Sequence, residues 1–178
     1  MRPLTPFQTI GPFFHDALLH PGSADIAEPA ATGRRIEIHG RVRDGAGAVV
    51  TDAMLEIWQA DPSGRYSIET PGFHGFGRIG TDASGEFHVS TLAPGRTPGP
   101  DGTTQAPHLL VQLFARGILS RLVTRIYFED EPLNEQDPIL SCVPRERRKT
   151  LLAHPSSPTS YRFDIVLQGE DETVFFDV

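Results

Sequence analysis

Short segments in which apolar and polar residues alternate recur along the sequence, and glycine, proline or aspartate bounds them. The alternation is clearest in residues 35–42, 53–57, 87–91 and 161–167. A period of two places successive side chains on opposite faces of a strand, so each segment predicts a β-strand with one buried face. The 17 glycines and 16 prolines are spread along the chain, which favours many short strands and turns over long helices.

Two stronger strands are predicted at residues 108–114 and 119–128, joined by a turn at Arg116-Gly117, and a last strand at 173–176. One helix is predicted over residues 144–153, because a proline stands near its first position. The sequence therefore predicts an all-β fold. We expect a two-sheet β-sandwich of about eight to nine mostly antiparallel strands, with one short helix in the C-terminal half and long loops.

The 178 residues are most simply one domain, 1–178, whose residues 1–33 form an N-terminal arm and loop. The arm segment 5–14 is rich in phenylalanine and is expected to pack on its own domain or on a partner chain. Residues 21–33 are read as a surface loop and residues 71–80 as a loop rich in glycine and phenylalanine. The loop 93–107 is too long to be a mere connection, so we expect it to have a function.

Charge and composition exclude several classes of protein. The formal net charge of −7 argues against a nucleic-acid partner, because binding to phosphates requires a basic face. No apolar run reaches the length of a membrane-spanning helix, and the N-terminal residues lack the apolar core of a signal peptide. The single cysteine, Cys142, cannot form an internal disulfide. The cytoplasm is the expected location.

The common catalytic motifs are absent from the sequence. It contains no Walker loop, no Rossmann fingerprint, no His-Glu-x-x-His and no paired-cysteine zinc motif. The seven histidines are scattered without the spacing of metal ligands, so each one alone is most simply a surface or packing residue.

Five motifs in a fixed order nevertheless resemble the intradiol ring-cleaving dioxygenases, and the resemblance extends from Thr5 to the C-terminus. In catalytic chains of that family, two tyrosines and two histidines hold a mononuclear Fe(III), and such hard anionic phenolates favour ferric iron. The family cleaves catechols with O2 between the two hydroxylated carbons. The motifs here are residues 55–66, 77–78, 106–108, 124–128 and 161–165.

A comparison ligand by ligand shows that this iron site is broken. Tyr66 occupies the place of the first tyrosine, but the second, expected in Pro-Gly-x-Tyr-Pro, is replaced in the run Pro94-Gly95-Arg96-Thr97-Pro98. His108 matches the first histidine of a His-x-His pair, and Leu110 stands at the second. We therefore predict no metal and no catalytic residue on this chain, with Tyr66 and His108 as remnants of a lost iron site.

The missing ligands, with further matches at residues 106–117 and 168–177, point to the non-catalytic α subunits of family members built from homologous α and β chains. The resemblance implies an iron-binding β partner that holds the Fe(III), a multi-copy α/β assembly, and an aromatic acid substrate at the interface. It also implies that Gly11, Pro12 and Arg125 help to form the substrate pocket. A guanidinium suits a substrate that carries a carboxylate.

Simpler interpretations of the same residues remain open. Arg125 pairs with an acid such as Glu129 or Asp130, Gly11-Pro12 is only a turn that docks the arm, and Trp58 is most simply part of the core. The alternative function is a free-standing β-sandwich that binds a small molecule, or assembles with itself, without catalysis.

Overall fold

The computed structural model describes residues 17–66 and 70–177, and these are mostly β-sheet. The predicted strands at 35–42, 53–57, 87–91, 108–114 and 119–128 are all present with small shifts at their ends. In chain order the strands are β1 (Arg35–Arg43), β2 (Met54–Gln59), β3 (Phe76–Gly80), β4 (Glu86–Leu92), β5 (Thr97–Pro98), β6 (Thr104–Gln105), β7 (His108–Phe114), β8 (Leu122–Phe128), β9 (Leu152–Ser157), β10 (Ser160–Arg162) and β11 (Ile165–Val166).

Nine of these strands are hydrogen-bonded to one another in a continuous series, and this arrangement confirms the predicted all-β sandwich. The order is β11-β1-β10-β9-β8-β7-β2-β3, with β4 paired to β1, while β5 and β6 form a separate two-stranded sheet. Most pairs are antiparallel; β1 pairs in parallel with β10 and β11, and β8 with β9. Strand β9 joins the two layers, because Leu152 and Ala153 pair with β8 while residues 154–157 pair with β10.

The main core lies between the layers and is built from the alternating apolar residues. Ile36 and Ile38 of β1 pack in one cluster with Leu55 and Ile57 of β2 and with Val111 of β7, and all five are fully buried. Burial of this kind stabilises the fold by roughly 1.5–3 kcal/mol per side chain. The core therefore fixes which face of β2, β7 and β8 points outward.

A second, smaller core lies on the outer face of β7 and β8. Its centre is Asp137, fully buried, whose carboxylate accepts hydrogen bonds from the main-chain N–H groups of Ala106 (2.8 Å), Ile139 (2.9 Å) and Leu140 (2.7 Å) and from the Tyr127 hydroxyl (3.1 Å). The carboxylate caps a short α-helix, α1 (Pro138–Ser141), and ties it to the segment before β7. The apolar side chains around it are Ala106, Tyr127, Leu140, Val143 and Leu151.

The prediction of a helix over residues 144–153 is wrong in both position and length. The helical segments in this half of the chain are α1 and the 3₁₀ helices Pro132–Gln136 and Arg148–Leu151. A longer helix is prevented because Leu152 and Ala153 pair with β8. A further 3₁₀ turn, Pro100–Gly102, lies in the long loop.

Three other segments differ from their sequence-based interpretation. The predicted strand 161–167 is split into β10 and β11, because the Asp164 side chain accepts a hydrogen bond from the main-chain N–H of Arg41 (2.9 Å) in place of a carbonyl. Residues 173–176 contribute only an isolated bridge between Phe176 and Val123 instead of a strand. The loop expected at 71–80 contains β3, where Gly77 leaves room for Ile26.

The expected surface loop 21–33 is irregular as predicted but contributes to the core. Ile26 is fully buried and Ala27 is 8% exposed, and Ala27 forms an isolated bridge with Phe73. The arm segment 5–14 lies outside the described residues. Among the residues that the structure describes, no helix combines the length and the apolar character needed to span a membrane.

The hydrogen bonds of Asp137 make a prediction about stability. Replacing Asp137 by asparagine puts an amide group that donates hydrogen bonds against main-chain groups that also donate them. We expect Asp137→Asn to lower the free energy of unfolding by about 2–3 kcal/mol, the cost of leaving a buried donor without a partner. Urea unfolding followed by circular dichroism measures the change.

The control for this variant is Asp171→Asn, because Asp171 is exposed and its partner among the described residues is Lys149, in a surface ion pair. This substitution should change the unfolding free energy by less than about 1 kcal/mol. Equal stability of the two variants would show that the second core does not depend on the Asp137 carboxylate.

Candidate functional site

Asp61 shapes the loop that carries Tyr66. Its Oδ1 accepts hydrogen bonds from the main-chain N–H of Ser63 (2.8 Å) and of Arg65 (3.0 Å), and its Oδ2 accepts one from the Thr70 hydroxyl (2.7 Å). Burial raises the pKa of Asp61, but these hydrogen bonds and the Arg65 charge outweigh burial and hold the pKa below its ordinary value. The loop is therefore ordered by an ionised carboxylate.

Two glycines bring this loop into contact with the long loop that precedes β7. Gly64 has φ +81°, and a Cβ on it would lie 1.8 Å from the carbonyl oxygen of Arg96. Gly95 donates its N–H to the Asp61 carbonyl (3.0 Å). Only glycine permits both the left-handed conformation and so close an approach. The two places where the sequence comparison expects tyrosines, at Tyr66 and Thr97, are thus held on adjoining loops.

His108 is the first residue of β7, and its ring faces Tyr66. The ring is 4% exposed, and its Nδ1 lies 2.7 Å from the Ala106 carbonyl oxygen. Since a carbonyl can only accept, Nδ1 carries the proton and Nε2 carries the lone pair. Nε2 lies 3.5 Å from the Tyr66 hydroxyl. Burial, with a smaller effect of the Arg125 charge, lowers the pKa of His108 to about 4, so the ring is neutral at pH 7.

Arg125 lies beside this pair because of the strand register. In the β7–β8 ladder, His108 is opposite Tyr127 and Leu110 is opposite Arg125. The Arg125 Nη1 donates to the side-chain oxygen of Gln105 (2.7 Å) and to the Tyr127 hydroxyl (3.2 Å). Both acceptors are uncharged, so the guanidinium charge is not neutralised by the groups that it contacts.

The expected pairing of Arg125 with Glu129 or Asp130 is wrong. Glu129 lies 3.0 Å from His154, and Asp130 accepts a hydrogen bond from the Tyr161 hydroxyl (3.1 Å). Among the described residues, no carboxylate lies within 4.0 Å of the Arg125 guanidinium. The Arg125 charge instead acts on the neighbouring ring of Tyr66. Partial burial raises the pKa of Tyr66 above its ordinary value, and the positive charge of Arg125 opposes that shift.

An aromatic and apolar row extends from Arg125 across the outer face of the sheet. Cross-strand pairing places Phe76, Trp58, Leu110 and Arg125 side by side on four successive strands. The ring centroids of Trp58 and Phe76 are 4.5 Å apart. Trp58 is 43% exposed, so the expectation that it belongs to the core is wrong. Its neighbours along β2, Leu55 and Ile57, face inward instead.

The structure therefore brings together three residues that the sequence singled out, Tyr66, His108 and Arg125. Gly11 and Pro12 lie outside the described residues, and their proposed role stays a prediction. Sequence reasoning missed Gln105 and Tyr127, which hold the guanidinium of Arg125. It also missed Asp137, although Asp137-Pro138 is a recognisable start of a helix.

This set of side chains does not fit a ferric ion. Tyr66 and His108 are two donors, whereas Thr97 and Leu110 stand where the resemblance expects the other two. A guanidinium beside the two remaining donors adds positive charge where a cation would lie. Within residues 17–66 and 70–177, no group of three or more His, Cys, Asp and Glu side chains could hold a metal ion. The cluster is a phenol–imidazole pair next to an arginine that contacts no carboxylate of the described residues.

Comparisons with known proteins agree with the fold and with the motifs. The Dioxygenase_C family, described as a dioxygenase, matches residues 10–169. The chain is 44% identical over 195 residues to the protocatechuate 3,4-dioxygenase alpha chain of Burkholderia cepacia, covering 98% of this chain and 97% of that one. It is 41% identical over 197 residues to the alpha chain of Pseudomonas putida, covering 99% and 98%.

Two further comparisons concern a β chain and a solved structure. The chain is 37% identical over 183 residues to the protocatechuate 3,4-dioxygenase beta chain of Burkholderia cepacia, covering 93% of this chain and 76% of that one. It superimposes with a TM-score of 0.66 and 30% identity on the dioxygenase domain of a dioxygenase carbohydrate-binding protein fusion from Streptomyces sp. SirexAA-E, covering 92% and 97%. The chain belongs to the intradiol ring-cleavage dioxygenase family, and within it resembles the alpha chains of protocatechuate 3,4-dioxygenase.

Proposed function

We propose that this chain is the α subunit of a ferric intradiol dioxygenase and holds no iron itself. The assembled enzyme cleaves protocatechuate (3,4-dihydroxybenzoate) with O2 to 3-carboxy-cis,cis-muconate, a step of aromatic-compound catabolism, and incorporates both oxygen atoms. The chain alone is inactive and supports an active site on a homologous β subunit. A cytoplasmic location, predicted from the sequence, is part of the same proposal.

The observation that carries this proposal is the incomplete donor set of the cluster. Tyr66 and His108 meet at 3.5 Å, while Leu110 lies opposite Arg125 on the next strand. A ferric site of this family requires four protein donors, and an arginine is never one of them because it has no lone pair to offer. The likeness to two alpha chains over nearly their whole length points in the same direction.

The proposed partner follows from the likeness to a β chain. This chain is 37% identical to a protocatechuate 3,4-dioxygenase beta chain over 93% of its own length, so the two chains share one framework. On the beta chain, that framework would carry the four iron ligands. In the proposed assembly, the homologous β chain holds the Fe(III), and several α/β pairs associate.

Gly11, Pro12 and Arg125 are proposed to contribute to the substrate pocket near the α/β interface. For Arg125 the support is physical. The side chain is half-buried and contacts no carboxylate of the described residues, so it has N–H groups and a positive charge available to an aromatic acid. For the Gly11-Pro12 turn the support is the sequence resemblance alone.

Reconstitution tests the proposed function. We expect the purified chain to show no protocatechuate-dependent uptake of O2, and to yield an active enzyme when it is coexpressed with a homologous chain that carries two tyrosines and two histidines as ligands. Uptake of O2 and formation of the muconate are measured together. The control is the β chain expressed alone.

Two results would contradict this proposal. Activity of the isolated chain with protocatechuate would show that the missing ligands have been misassigned. A chain that neither associates with the β chain nor changes its activity would favour the alternative, a free-standing module. The exposed Trp58 and the half-buried Phe76 offer that module a surface for binding a small aromatic molecule.

The role of Arg125 is tested separately in the assembled enzyme. Replacing Arg125 by glutamine removes the charge but keeps a polar side chain of similar length. We expect the KM for protocatechuate to rise about 10–100-fold, the effect of losing one hydrogen bond to a charged group, and the KM for a catechol without a carboxylate to change little. Steady-state O2 uptake with both substrates gives the two values.

Arg41→Gln is the matched control, because Arg41 is half-buried on β1 and is already paired with Glu86 at 2.6 Å. It removes the same charge from the protein and should leave both KM values unchanged. If Arg125→Gln raises the KM for the two substrates equally, Arg125 does not recognise a carboxylate.

A further inference from the structure

The cluster of Tyr66 and His108 contains a feature that the loss of two donors alone does not explain. A site that has merely lost ligands keeps its remaining donors, whose lone pairs can still bind a cation weakly. Here a fixed positive group, the Arg125 guanidinium, stands beside the remaining donors. We infer that the Arg125 charge itself closes this cluster to metal ions, so that restoring the missing donors does not restore metal binding while Arg125 is present. The inference concerns this chain alone and does not rest on its proposed role beside a β chain.

The strand register places this charge next to the missing histidine ligand. Leu110 stands where the second histidine is expected, and it lies directly opposite Arg125 in the β7–β8 ladder. Side chains that face each other in this way have Cβ atoms about 4.5–5.5 Å apart. A histidine at position 110 would therefore offer its lone pair to a metal ion that is also close to the guanidinium.

The guanidinium is held in place by acceptors that are themselves fixed. Gln105 directs its oxygen to Arg125 because its own amide nitrogen donates to the Pro98 carbonyl (2.8 Å). The Tyr127 hydroxyl, which also accepts from Arg125, donates in turn to the buried Asp137. Swinging the arginine away would leave Gln105 and Tyr127 without that bond, so the charge is a lasting feature of the cluster.

The charge also reaches the two remaining donors. Burial raises the pKa of Tyr66 and lowers that of His108; the Arg125 charge opposes the first shift and adds to the second, so both rings lie close enough to be affected by it. The buried Asp137 carboxylate acts on the pKa of His108 in the opposite sense, but its effect is smaller than that of Arg125. The repulsion between the guanidinium and an ion grows in proportion to the charge of the ion. A trivalent ion held by Tyr66 and His108 would therefore be repelled three times as strongly as a monovalent one at the same place.

The long loop contains a buried polar group whose side chain has no hydrogen-bond partner among the described residues. Thr97, at the place of the expected second tyrosine, is 3% exposed, and its hydroxyl has no hydrogen-bond partner among the described residues. Thr97 pairs across the β5–β6 ladder with Gln105, the residue that holds Arg125. The positions of both missing donors thus lie next to residues of the arginine network.

The test compares metal binding with and without the Arg125 charge in a background where the donors are restored. The full-length chain carries Thr97→Tyr and Leu110→His in one variant, and Arg125→Gln in addition in the second. Each is dialysed against ferric nitrilotriacetate. Bound iron per chain and the visible tyrosinate-to-ferric absorption band are then measured.

We expect less than about one tenth of an iron per chain in the first variant. In the second we expect close to one iron per chain with a visible band, which is at least a tenfold difference in affinity. Arg41→Gln in the donor-restored background is the control for net charge, because Arg41 is paired with Glu86 on another strand. It should bind no more iron than the donor-restored chain.

Because Thr97 is buried, a tyrosine there can unfold the chain, so a second pair of variants avoids this position. Leu110 is half-buried at the outer face, and Leu110→His alone gives three donors, enough for Co(II) with one water. We expect Co(II) to bind at least tenfold more tightly when Arg125→Gln is added.

Two outcomes would overturn the inference. One is equal metal affinity with and without the Arg125 charge, in whichever pair of variants stays folded by circular dichroism. The other is an Arg41 control that binds metal as tightly as the Arg125 variant, which would make the effect one of net charge and not of position. Loss of the proposed assembly with a β chain would leave either result unchanged.

Discussion

The register of β7 against β8 is the constraint on which the rest of the site depends. A slip of one residue would turn Leu109 and Val111 outward and bury His108 and Leu110 in the main core. The alternating apolar residues of β7 prevent this slip, because their burial is worth several kcal/mol. The same register sets His108 opposite Tyr127 and Leu110 opposite Arg125, so core packing determines the chemistry on the other face of the sheet.

Much of the fold could be predicted from the sequence because it depends on local alternation. Residues 35–42 alternate cleanly and residues 108–114 are mostly apolar, and both form strands at nearly those bounds. Strand β3 was missed because Phe76-Gly77-Arg78-Ile79-Gly80 contains two glycines, which usually indicate a loop. Glycine is required at position 77 because a Cβ there would lie 2.6 Å from the side chain of Ile26, fifty-one residues earlier in the chain.

The errors near the C-terminus have a similar origin. The helix predicted over residues 144–153 rested on local propensity, which pairing of Leu152 and Ala153 with β8 overrides. The strand predicted over 161–167 is broken by a side chain, since Asp164 replaces a carbonyl as the acceptor for Arg41. Long-range pairing of this kind has no signature in a short stretch of sequence.

For the candidate site, the sequence comparison identified Tyr66, His108 and the absence of two donors, but not what holds Arg125. One partner of Arg125, Gln105, comes from the short β6 strand. The other, Tyr127, lies two residues along β8 and is itself held by Asp137 at the start of α1. These contacts arise only when the second core packs on the outer face of β7 and β8. The result is a guanidinium held in place beside Tyr66 and His108, on the fold of the family.

The proposed function requires that, in the assembled enzyme, the iron lies on the partner chain and not beside Tyr66 and His108. Anomalous diffraction at the iron absorption edge from crystals of the α/β assembly tests this claim most directly. We expect one iron peak per α/β pair, ligated by the β chain, and no peak within bonding distance of the Tyr66 hydroxyl and the His108 Nε2. An iron peak between those two atoms would contradict it.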